Sequence, residues 1–102
     1  MSIDFLQLSR QEAAGLISGT EWWAAMAQEN PEYELGYRAA LAADAAREST
    51  RPAAQTERQN VYAAFIAAGH SEKSARRQAR EAYNEMILDA AFAARREVYA
   101  AS

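Results

Sequence analysis

Twenty-six alanines in a chain of 102 residues limit what the sequence can fold into. Alanine favours the helix more than any other side chain, because it loses no rotamer freedom there, yet it buries little area when it packs. It accounts for 26 of the 51 hydrophobic residues, which leaves about two dozen larger apolar side chains to fill a core. Such a core is thin. At roughly 25 cal/mol per Å² of buried apolar surface it supports a modestly stable monomer, or a chain that leans on a partner. Valine, isoleucine and threonine are scarce, and no stretch alternates apolar with polar residues over strand length, so no sheet is expected. The expected fold is all-α: a small bundle of about five helices in a single domain spanning residues 1–102, with a long C-terminal helix.

The helices are placed by their end signals. Ser9 and Glu12 read as a capping box opening a first helix, Arg10–Ser18, that Gly19 closes. Thr20 then caps a second, Glu21–Glu29. Asn30-Pro31 is a break and a restart, because proline has no N–H to donate and is preorganised for the first helical position. The third helix runs from Pro31 to about Glu48, with Tyr33, Tyr37 and Leu41 as a core stripe and Gly36 with Ala40 allowing close approach of another helix. Ser49-Thr50-Arg51-Pro52 is read as punctuation that ends it. Thr56 and Gln59 form a second capping box, opening a helix of about a dozen residues with Val61, Phe65 and Ala68 inward. Gly69 ends that helix in a left-handed cap, and Ser71 caps the last, which runs unbroken from Glu72 to about Ala100. Tyr83, Ile87, Ala90, Ala94 and Val98 line its inner stripe, widened by Met86. At 1.5 Å per residue this helix is about 43 Å long, longer than a domain of this size is wide. Its far end needs a kink, the N-terminal helices folding back, or a second copy of the chain.

Several function classes find little support. Cysteine is absent, which removes disulfides and thiolate metal sites and suits a reducing cytoplasmic setting. Met1–Leu8 does not read as a signal peptide, and no apolar run approaches the roughly 20 residues that cross a bilayer, so no membrane partner is expected. The only histidine, His70, sits in a turn, where it reads as solvated and without the partners that a metal site or a catalytic triad needs. No phosphate-cradling glycine loop or nucleophile motif is present. The chain is therefore expected to be no enzyme and to carry no cofactor.

Binding signals are clearer. The net charge of −3 conceals halves of opposite sign: residues 1–50 carry eight acids and three bases, residues 51–102 eight bases and six acids. Trp22 and Trp23 project about 100° apart on a helix, so a thin bundle buries one and leaves the other near the rim. Two readings stand: both rings lie between helices, or the outward one anchors a partner protein, with Glu29, Glu32 and Glu34 alongside. Lys73, Arg76, Arg77 and Arg80 fall at i, i+3, i+4 and i+7 and form one basic stripe opposite Ala75, Ala79 and Ala82. This stripe is read three ways: a solvated face, a phosphate-binding face, or a docking surface for an acidic protein. Glu72 and Glu81 stand four residues from Arg76 and Arg77 and dilute it.

Residues 57–79, ERQNVYAAFIAAGHSEKSARRQA, resemble a helix-turn-helix and are similar to the N-terminal segment of phage small terminase subunits. That resemblance implies DNA contact by Ser71, Lys73, Arg76 and Arg77 at the start of a recognition helix. As a whole the chain resembles, in kind only, the small acidic helical inhibitors of phage and mobile elements such as anti-CRISPR proteins, which implies occlusion of a host complex. The leading expectation is a non-enzymatic protein-binding module of that inhibitor type, acting in the host cytoplasm. The alternatives are a helix-turn-helix DNA-binding protein and a structural subunit that pairs with itself through the last helix.

Overall fold

Local capping chemistry fixes where the helices begin, and a computed structural model describes the outcome for residues 4–102. Within them the protein is all-helical, with four α-helices: α1 (Phe5–Ala13), α2 (Gly19–Glu29), α3 (Glu34–Ala67) and α4 (Glu72–Ala100). A short 3₁₀ turn, Pro31–Tyr33, leads into α3. The part of the N-terminal reading that concerns residues 1–3 lies outside the described residues.

The count falls from the expected five because α3 runs straight through Pro52. The supposed punctuation, residues 49–52, is helical throughout. Hydroxyls in and just after it act within the helix: Ser49 Oγ donates to the Ala46 carbonyl at 3.2 Å, and Thr56 Oγ1 donates to the Pro52 carbonyl at 3.2 Å. Thr56 therefore opens no helix. These are the back-bonds a serine or threonine makes inside a helix, where sequence reads them as caps. Proline in a helix interior costs about 3 kcal/mol, since the Glu48 carbonyl loses its donor and meets the ring. Here the ring is exposed, and Ala43 and Ala54, both fully buried, anchor the helix before and after it.

The first helix is also shifted. Asp4, not Ser9, caps it, accepting from the Gln7 N–H at 3.1 Å. It ends at Gly15 rather than Gly19: Gly15 takes φ +76°, its N–H donates to the Glu12 carbonyl, and the Leu16 N–H reaches back to Gln11. The working capping box lies at the start of α2, where Ser18 Oγ accepts from the Glu21 N–H and the Glu21 carboxylate accepts from the Ser18 N–H. The hinge between α3 and α4 is as expected. Gly69 takes φ +90°, its N–H and that of His70 satisfy the Ile66 and Phe65 carbonyls, and Ser71 Oγ accepts from the Ser74 N–H at 3.2 Å.

The chain divides into two compact units, one comprising the residues up to Ala42 with Ala94–Ser102, the other Ala43–Ala93. In the first, Trp22 joins α1, α2 and the 3₁₀ turn. Its ring meets Phe5, Trp23 and Tyr33 edge-on at centroid distances of 5.8, 5.0 and 6.2 Å, and its Nε1–H donates to Ser9 Oγ at 3.4 Å. Met26, Ala39 and Ala40 are buried there.

The second unit is an antiparallel helical hairpin. Gln59 and Tyr62 of α3 border the same cavity as Arg76 and Ala79 of α4, while Glu48, Arg51 and Pro52 border another with Tyr83. Residues farther before the turn thus meet residues farther after it. The fully covered positions of this hairpin are all alanines: 43, 54, 75, 79 and 91. Tyr83, Met86, Ile87 and Ala90, expected on the inner stripe of α4, are half-buried around them.

Candidate functional site

The alanine seam decides which side chains of the hairpin face water. Ala75 and Ala79 turn into the seam, so Lys73, Arg76, Arg77 and Arg80 must project away from it, and all four are exposed. Together with Ser71, Glu72 and Ser74 they line an open groove of about 860 Å³. Its remaining wall is Arg58 of α3. Every residue of the expected basic site is therefore brought together, and the other helix of the hairpin adds a fifth cation that the sequence pattern does not show.

Five cations face one carboxylate in this groove. Glu72 lies 3.5 Å from Arg76, with both side chains about 70% exposed (69% and 71%), so the pair is worth well under 1 kcal/mol and screens little of the charge. Among the described residues, Arg58, Lys73, Arg77 and Arg80 make no ion pair within 4.0 Å. The groove is open rather than enclosed, and its cations outnumber its carboxylate five to one.

The other expected site is differently built. Trp22 and Trp23 are both half-buried, so neither is deeply covered and neither projects fully outward. Trp23 lies 6.0 Å from the Tyr33 ring centre and packs its six-membered ring on Gly36. Glu29, Glu32 and Glu34 are exposed around the 3₁₀ turn. The Glu32 N–H donates to Asn30 Oδ1 at 3.0 Å, which serves the turn and leaves the carboxylate to solvent. These five residues belong to the first unit and the basic groove to the second.

His70 is exposed at the hinge, its ring 4.8 Å from that of Phe65. Among the described residues no polar side chain is buried, and no group of three or more histidine or carboxylate residues is placed to hold a metal ion. No helix among them is long and apolar enough to cross a membrane. No protein-family model, no curated protein and no solved structure matches the chain.

Arg58 was findable. It stands eleven residues before Gly69, and Arg80 stands eleven after. In an antiparallel hairpin, residues equidistant from the turn lie side by side.

Proposed function

We propose that the protein is a non-catalytic binding module whose basic groove receives an acidic segment of a partner protein. The supporting observation is the convergence of Arg58, Lys73, Arg76, Arg77 and Arg80 from two helices onto one open groove with a single carboxylate. Exposed ion pairs contribute about 0.2–1 kcal/mol each, so five give weak, salt-sensitive affinity, and partner-specific contacts must supply the rest. The finer reading is occlusion: a phage- or mobile-element-type inhibitor that covers a surface of a host complex. Its support is the open, charged groove lined by exposed side chains of both helices.

The hairpin geometry favours this reading over DNA recognition. The helices of a helix-turn-helix cross at about 90–120°, which frees the second to enter the major groove. Here α4 lies along α3 at least as far as Tyr83, beside Pro52.

The test is fluorescence anisotropy with a labelled poly-glutamate peptide and, in parallel, a labelled DNA duplex. The expected result is peptide binding at about 50 mM salt that weakens several-fold by about 200 mM. Arg76→Ala with Arg77→Ala is expected to weaken it by up to about thirtyfold. Peptide binding indifferent to both changes overturns the proposal. Duplex binding with a steep salt slope, in the absence of peptide binding, moves the function to nucleic acid.

A further inference from the structure

The basic groove has a counterpart on the same unit. Glu57 and Arg58 are adjacent in sequence, so on a helix they project about 100° apart. They fall on opposite flanks of the alanine seam. Arg58 lines the basic groove; Glu57 lines a second, smaller cavity of about 270 Å³ with Ala82, Glu85, Met86 and Asp89. On α4 the same division recurs, with Arg76, Arg77 and Arg80 about 150° around the helix from Glu85 and Asp89. One hairpin thus presents a cationic flank near its turn and, on the opposite side, an anionic flank three turns farther along α4.

We infer that the groove's partner includes a second copy of this chain, whose anionic flank, Glu57, Glu85 and Asp89, seats in the cationic groove. The inference rests on the proposed reading of the groove as a dock for acidic protein, and it names one occupant. The two flanks have complementary signs, with three carboxylates facing five cations and one carboxylate. Charge alone sets orientation and register, because exposed pairs add little net affinity. Apolar contact is available on both sides: Leu88 (51% exposed) and Phe92 (53%) border the anionic flank, and Ile66 (39%) lies two turns from Arg58 on α3. Because the flanks are different surfaces, the interface is heterologous, and each added copy leaves one groove and one anionic flank open at its ends. Association proceeds head to tail, to a ring or an open chain.

The experiment is sedimentation equilibrium of the full chain from micromolar to near-millimolar concentration, at low and high salt. The average mass is expected to rise above the 11.3 kDa of one chain with concentration and to fall back when salt is added. Two neutralised variants sharpen the test. One carries Arg76→Gln, Arg77→Gln and Arg80→Gln; the other carries Glu57→Gln, Glu85→Gln and Asp89→Asn. Each alone is expected to remain monomeric, with the helical circular dichroism of the parent. Mixed in equal amounts, they are expected to form a dimer and no larger species, because each retains the one flank that the other lacks. A parent that stays monomeric throughout, or a mixture that stays monomeric, overturns the inference. So does a cationic-flank variant that self-associates like the parent. Poly-glutamate binding by a strictly monomeric parent discards self-docking and leaves the acidic-partner reading standing, whereas loss of both removes the two together.

Discussion

The six-membered ring of Trp23 occupies the space that a Cβ at position 36 would need. A methyl group built on Gly36 would come within 2.7 Å of Trp23 Cε3 and Cη2, and closer still to Cζ3. Those atoms belong to a rigid ring held by Trp22 and Tyr33, so they cannot swing aside as the end of a flexible chain would. Gly36→Ala gains about 1 kcal/mol of helix propensity and loses about 1–3 kcal/mol to overpacking. The expected net effect is destabilisation, seen as a lower urea midpoint with a shift in tryptophan emission. A higher midpoint would show that the ring does not rest on this glycine.

Pro52→Ala restores a donor to the Glu48 carbonyl and removes the ring that crowds it. The site is exposed, so little packing is lost. Stability is expected to rise by about 2–3 kcal/mol. Were the helix in truth broken at this position, thermal unfolding of the variant would be unchanged.

The alanine seam has no room for branched side chains. Ala54→Leu is expected to cost about 1–3 kcal/mol, since the added carbons must push the two helices of the hairpin apart. Its neighbour supplies the control. Ala53 is exposed, and Ala53→Leu is expected to change stability by no more than about 0.5 kcal/mol. Equal effects at the two positions would contradict the seam.

Two glycines are expected to respond with opposite signs. Gly69 takes φ +90°, where a Cβ is strained, so Gly69→Ala is expected to lose about 1 kcal/mol or more. Gly19 is the first residue of α2 and has no positive φ; a Cβ there would meet only Glu12 Oε1, at 3.8 Å. Gly19→Ala is expected to gain a few tenths of a kcal/mol. Calorimetry of the two variants distinguishes this structure from one in which Gly19 closes the first helix.

What could be read from sequence, and what could not, follows from the range of the signals. The turn at Gly69 and Ser71, the unbroken last helix and the four cations on its face are set by patterns local to one stretch of chain, and all are present as read. Pro31 as a restart belongs with them. Pro52 reads as a helix end by local pattern because the seam contacts that outweigh its cost join residues far apart in the chain. Ser9 looked like a cap because its hydroxyl is of the right type. In the structure it receives the Trp22 indole N–H, a partner thirteen residues away. Sequence alone leaves the tryptophan pair open between burial and display, and both rings lie half-covered, since Phe5 and Tyr33 arrive from elements on either side of α2. Arg58 escaped notice for the same reason: its neighbours are on another helix.

Packing a hairpin on methyl groups also governs how it responds to temperature. Unfolding such an interface hydrates little hydrocarbon, and hydrocarbon hydration is what gives unfolding its large positive heat-capacity change. The increment should fall below the usual ~12–15 cal/mol/K per residue. The stability profile against temperature will then be shallow and broad, and this protein will lose its fold gradually on warming and resist cold.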